Sequence, residues 1–265
     1  MRRNYPEIIF GRQQSAHVKG VAVVLLILHH LFLFPSSNPW FTSIIGNNWG
    51  GIEFFLSSVG KLCISLFFFV SGYGLYLSSR HDNFLWKSTR RRLRGIYSIY
   101  VITALVSVAI LFWWSGVLPV HSWAQGVATL LGIDISVNSS WWFFIIYVEL
   151  LLLTPLVIHF VRHFSWKWVL ACSFIVYCFS PDSGLAWFAQ WFSNMGLAPI
   201  FYKHFFINLF WMNQVYFFVG FCLAASGTFE TIMQRSIKVF AQPWQRHTFG
   251  ILLIALVLVF RYFFL

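Results

Sequence analysis

The chain has 265 residues, of which 59% are hydrophobic and only 9% charged, with a net charge of +11. Soluble domains carry about 25% charged residues, so this composition excludes an ordinary water-soluble fold and points to helices that cross a bilayer. The basic residues fall in short segments between apolar runs, which argues topology and argues against a nucleic-acid partner.

Residues 1–17 are polar and basic, with Arg2, Arg3 and Arg12. A first span is predicted over about 18–34, opening with Lys19 and carrying His29 and His30; Pro35 and Pro39 stop it, because proline cannot continue the helical ladder. A polar segment with Asn47, Asn48 and Glu53 leads to a second span, about 61–79, which contains Phe67-Phe68-Phe69-Val70-Ser71-Gly72-Tyr73-Gly74. The densest charge follows, with Lys87, Arg90, Arg91, Arg92 and Arg94 read as an inside loop before a third span over about 95–115.

A wet loop, about 116–140, holds His121, Asp134 and Asn138. The fourth span covers about 141–160, a short fifth about 166–180, and residues 181–204 read as irregular. The sixth and seventh spans fall at about 205–226 and 247–264, separated by a loop with Arg235, Lys238 and Arg246. With the N-terminus in the cytoplasm, nearly all Lys and Arg face inward. The expected fold is therefore all-α: one domain over residues 1–265, a polytopic bundle of about seven spans, or eight, in a cell membrane. Cys63, Cys172, Cys178 and Cys222 lie in apolar segments without ligand spacing, so they read as small buried hydrophobes and no metal is expected.

Lys19 and His30 are eleven positions apart, which on a helix returns to within about 20° of one face, roughly 16 Å further along. A cation near one surface and an imidazole inside the lipid is costly, and such intramembrane groups point to function. Glu149, eight residues past Trp141, reaches a similar depth, about 12 Å from the outer surface. A carboxylate on the second nitrogen of a histidine would fix its tautomer and raise its basicity, as a general base needs; alternatively each group is satisfied on its own and simply ties helices together. His29 faces about 100° away and reads as a structural neighbour.

The Arg90–Arg94 run reads either as an anchor on anionic lipid or as a phosphate site. Ser71-Gly72 admits either a close helix interface or a thin ligand such as an acyl–pantetheine arm. Asn208, Asn213 and Gln214 read as interhelical hydrogen-bonders, and Lys61 and Arg261 as snorkelling cations.

With these residues in place the chain resembles the integral-membrane acyltransferase-3 family over about residues 15–160, and more weakly over 205–226. The family's basic residue, ten residues, then His is matched by Lys19 and His30. Its Phe-Phe-x-x-Ser-Gly-Tyr signature is similar to Phe68-Phe69-Val70-Ser71-Gly72-Tyr73, with one fewer residue before the serine. Its Arg-x-x-Arg is matched by Arg91-Arg92-Leu93-Arg94, and its Trp…Val-Glu…Pro helix by Trp142, Val148-Glu149 and Pro155. The chain departs from the pattern at Lys19, commonly Arg; at Ser65, often Asp; and at Ser98, often Pro. Members also have more spans than are counted here, so this reads as a compact or C-terminally short version.

The resemblance implies transfer of an acyl group, usually acetyl, from cytoplasmic acetyl-CoA to an extracytoplasmic hydroxyl on a polysaccharide, sugar or glycolipid, in the inner membrane. Arg91 and Arg94 would grip the CoA phosphates with help from Lys19, the acyl–pantetheine arm would pass Ser71 and Gly72, and His30 would act as general base with Glu149 orienting it or touching the acceptor. Two other readings stay open. One is a polysaccharide or solute transporter using His30 and Glu149 as a proton relay, which should show two similar halves; no internal repeat is seen. The other is a non-catalytic partner of a glycan synthase.

Overall fold

In the computed structural model, residues 10–32, 52–80, 85–180, 205–240 and 242–264 are described. Of the loop expected over about 35–60, residues 35–51, with Asn47 and Asn48, lie outside them, as does the stretch 181–204 expected as irregular; residues 52–60, with Glu53, are helical instead. The described residues form helices joined by turns, with no strand among them. In chain order these are α1 (Arg12–Phe32), α2 (Ile52–Gly60), α3 (Leu62–Ser79), α4 (Leu85–Ser115), α5 (Trp123–Leu130), α6 (Trp142–His163), α7 (Trp166–Cys178), α8 (Phe205–Ser226), α9 (Thr228–Val239) and α10 (Pro243–Phe264).

Among the described residues, five helical stretches are long and apolar enough to cross a membrane: Arg12–Phe32, Phe55–Ser79, Leu85–Ser115, Ser139–His163 and Leu209–Ser226. They fall on the first, second, third, fourth and sixth expected spans. The fifth expectation lands on α7, whose 13 residues reach about 20 Å against the ~30 Å of a hydrocarbon core. The seventh lies in α10. The third span differs from its expected bounds, because α4 begins at Leu85 rather than near residue 95. Between Leu85 and Arg94 the chain has no Gly or Pro and is rich in Leu, Lys and Arg, which favour helix. The arginine cluster is therefore helical rather than looped.

The chain divides into two compact units, residues 1–77 with 215–265, and residues 78–214. It passes from one to the other within α3 and within α8.

In the first unit, α3 and the C-terminal part of α8 pack through two glycines. A side chain on Gly72 would overlap the carbonyl of Phe217, and one on Gly220 the carbonyl of Phe69. Small residues are what let membrane helices approach this closely. Phe68, Tyr73, Phe217, Phe221 and Cys222 fill the core around this crossing, and Tyr76 sets its ring edge-on to Phe221 at 5.0 Å. Gly227 takes φ 70°, a left-handed conformation glycine adopts cheaply, and so separates α8 from α9. At the other side of this unit α2 packs onto the end of α1, where a Cβ on Gly60 would come within 2.7 Å of the His29 Cβ and the Leu25 carbonyl oxygen.

The second unit is centred on Tyr100, Ala104 and Trp141, with Val101, Leu130, Ile135, Val137 and Phe144 against them. Tyr100 stacks on Phe144 at 3.9 Å and donates its hydroxyl to the Thr129 carbonyl at 2.7 Å. Tyr97 donates to the Leu131 carbonyl at 3.2 Å. The segment 116–140, expected as a loop, thus contains α5 and folds back onto α4 at Tyr97 and Tyr100. Its capping is visible in the sequence: Ser122 accepts the Gln125 N–H, and Asn138 accepts the Ser140 N–H at 3.0 Å before α6. Ser173 and Gln214 tie α7 to α8 by two bonds: the serine hydroxyl donates to the amide oxygen at 2.6 Å, and the amide NH₂ donates to the serine carbonyl at 2.7 Å. Gln214 is thus the interhelical hydrogen-bonder expected of it. Asn213 instead donates back to Leu209 in its own helix, and the Asn208 side chain is outside the described residues.

Candidate functional site

The candidate residues divide between the two units. Lys19, His30, Ser71 and Gly72 belong to the first; Arg91, Arg94 and Glu149 belong to the second.

Because α1 is one uninterrupted helix from Arg12 to Phe32, Lys19 and His30 do lie on one face, roughly 16 Å apart. Both are exposed. His29 is the buried histidine, 8% exposed. Its Nδ1 lies 2.9 Å from the carbonyl oxygen of Ser57, and its ring stands edge-on to that of His30 at 5.3 Å between centroids. A carbonyl oxygen only accepts, so Nδ1 carries a proton.

Ser71 is half-buried and Gly72 fully buried. The room left by the absent side chain of Gly72 is taken by the Phe217 backbone, so at this residue the close approach is between helices. The next residue, Tyr73, donates its hydroxyl to the carboxylate of Glu230. The Phe10 N–H points at both oxygens of that carboxylate, at 3.3 and 3.4 Å. Glu230 is 3% exposed and sits in the first turn of α9, where the helix dipole favours a negative charge. Phe10 and Phe229 set their rings edge-on to Tyr73, at 5.2 and 5.6 Å. Sequence reading passed over this buried carboxylate, since Glu230 follows an ordinary loop signal; Tyr73 within the Phe-Phe-x-x-Ser-Gly-Tyr stretch was the available hint.

In the second unit α4 turns the arginine cluster into a pattern. Lys87, Arg90, Arg91 and Arg94 are all exposed and stand at i, i+3, i+4 and i+7, which is one helical stripe. Arg92 points elsewhere, donating to the Ser78 hydroxyl at 2.8 Å. Arg162, at the end of α6, donates to the Ser79 carbonyl at 3.3 Å. Four exposed cations along one face suit a ligand carrying several phosphates.

Glu149 is half-buried on α6 between the buried Val148 and Leu150. Its Oε2 atom is fully enclosed and has no hydrogen-bond partner among the described residues. Asp134, in the segment after α5, accepts the Ser136 N–H at 2.7 Å. That bond, with further bonds from the Ser136 and Gln125 side chains, holds its carboxyl below the usual carboxylate range. The cysteines are free thiols; Cys63 and Cys222 are buried as expected, but on α7 Cys172 is exposed and Cys178 half-buried. Among the described residues no three His, Cys, Asp or Glu side chains gather as metal ligands would.

The model of a family described as an acyltransferase domain matches residues 16–265 of the chain. The protein belongs to the acyltransferase-3 family. No curated protein and no solved structure matches it. As an acyltransferase-3 protein it is a membrane acyltransferase in general terms, and the family match runs through both compact units.

Proposed function

We propose that this acyltransferase-3 protein moves an acyl group, acetyl by preference, from acyl-CoA on the cytoplasmic side to a hydroxyl of a glycan or glycolipid on the other side of the cell membrane. The observation that carries this reading is the stripe of Lys87, Arg90, Arg91 and Arg94 on α4. A cluster of cations beside a span also suits anionic lipid; in a chain of the acyltransferase-3 family the phosphates of an acyl-CoA donor are the ligand it is proposed to hold. Four on one face, two of them the Arg91–Arg94 pair, match the clustered phosphates of coenzyme A. Lys19, exposed near the start of α1, adds a further cation for the donor.

The chemistry asked of the protein is small. A ring nitrogen of His30 takes the proton from the acceptor hydroxyl as its oxygen attacks the thioester carbonyl. The carbon–sulfur bond then breaks, and the CoA thiolate leaves and collects the proton. Holding donor and acceptor in line supplies most of the remaining acceleration. Ser71, beside the helix crossing at Gly72, is the polar group offered to the acyl–pantetheine arm. Glu149, with an enclosed oxygen in an apolar helix, is the residue to receive an acceptor hydroxyl.

The direct test is mass spectrometry of surface glycans from cells producing the wild type, cells producing His30→Ala, and cells with neither. O-acetylation that appears only with the wild type supports the reading. Equal acetylation with His30→Ala refutes His30 as base, and no acetylation with any of them refutes acyl transfer to surface glycans.

A further inference from the structure

The sequence leaves His29 as a neighbour of the reactive histidine, yet it is the better held of the two. Three features meet on it. Its ring is buried, Nδ1 lies 2.9 Å from the Ser57 carbonyl oxygen, and Gly60, one turn further along α2, is bare so that the α1 backbone at His29 can come close. Ser57 is among the last residues of α2, where carbonyls lack a full intrahelical partner. Its own helical bond, from the Lys61 N–H, is long at 3.3 Å. The imidazole N–H therefore completes a helix end, and the helix end in turn fixes the imidazole. His30 follows directly, exposed, with its ring edge-on to that of His29.

We propose that His29 is a positioning residue: by donating from Nδ1 to the Ser57 carbonyl it locks the end of α1 onto α2 and so fixes the direction in which His30 presents its ring. The proposal rests on the reading of His30 as general base. Alone near the end of its helix, α1 would fray and the base would sample many directions; clamped at the preceding residue, it keeps one. A misplacement on the order of 1 Å in a reacting group costs up to about 100-fold in rate, so the clamp acts on turnover and leaves donor binding alone.

Asparagine separates this role from others, because its side-chain NH₂ can stand where Nδ1–H stands whereas it offers no imidazole. His29→Ala is expected to lower kcat roughly 10–100-fold with the Kd for acetyl-CoA unchanged, and His29→Asn to recover most of that loss. Gly60→Ala, which leaves both histidines in place but pushes α2 from α1, is expected to lower kcat in the same way. Nitrogen-15 NMR of histidine-labelled protein should show His29 as the Nδ1–H tautomer. An Nε2–H tautomer, a His29→Asn variant as impaired as His29→Ala, or full turnover in His29→Ala would each overturn the clamp. His30→Ala run alongside keeps the two ideas apart. Full turnover there removes the base, whereas lost turnover there with full turnover in His29→Ala removes the clamp only.

Discussion

Gly72 of α3 lies directly against the backbone of Phe217 in α8, with no room between them for a methyl group. The contact is reciprocated one turn away, where Gly220 lies against the Phe69 carbonyl. Two helices with glycines in register are locked at a separation that any larger residue must widen. Gly220→Ala is expected to destabilise the protein by about 1–3 kcal/mol, the usual cost of overpacking a filled interior, and Gly72→Ala by a similar amount. Thermal unfolding in detergent measures it. A melting temperature equal to wild type in both variants would mean that the helices separate without penalty.

The Arg stripe makes a graded prediction. Arg91 and Arg94 lie on the exposed face and Arg92 is held by the Ser78 hydroxyl. Arg91→Ala and Arg94→Ala should each weaken acetyl-CoA binding roughly 5- to 10-fold, about 1 kcal/mol of charge-assisted bonding apiece, and added salt should shrink the difference. Arg92→Ala should move the Kd much less. Isothermal titration with acetyl-CoA settles it. Equal effects at all three positions would show that the stripe is a diffuse field and no site.

What could be read in advance, and what could not, follows from the range of each interaction. The apolar runs are local facts, so the major spans were visible in the chain. The Lys19–His30 relation was visible too, because a continuous helix fixes it. The start of α4 is not legible in the same way, because a dense run of charge reads as a loop between spans, although Leu, Lys and Arg are good helix formers. The clamp on His29 was out of reach: its partner is a backbone carbonyl 28 residues away, and any residue could have supplied that carbonyl. The same holds for Glu230, whose partner hydroxyl on Tyr73 is 157 residues distant.

Glu230 and Tyr73 make a third prediction. The buried carboxylate accepts hydrogen bonds from the Tyr73 hydroxyl and the Phe10 N–H among its contacts. Removing one donor from a buried acceptor costs about 1–3 kcal/mol. Tyr73→Phe should therefore lower the melting temperature although the ring contacts with Phe10 and Phe229 persist. Glu230→Gln keeps an oxygen that accepts both bonds and should cost less than Tyr73→Phe. If Glu230→Gln proves the more damaging of the two, the negative charge at the start of α9 matters beyond its hydrogen bonds.

The last prediction concerns pH. The Ser136 N–H, with the Ser136 and Gln125 side chains, lowers the pKa of Asp134 in the folded protein below that of the same residue in the unfolded chain. A group whose folded pKa is depressed contributes stability that is fully present above its unfolded value. That contribution is lost as pH falls through the folded value, when the carboxylate takes up a proton and its bonds weaken. Asp134 lies largely in water, so the effect is small and screened. Melting temperature measured between about pH 3 and pH 6 should fall less steeply for Asp134→Asn than for wild type. Other carboxylates titrate equally in both proteins, and so the difference between the two curves isolates this one. Parallel curves would mean that Asp134 gains nothing from Ser136 on folding, and that the turn after α5 is held by its other bonds, those of the Tyr97 and Tyr100 hydroxyls among them.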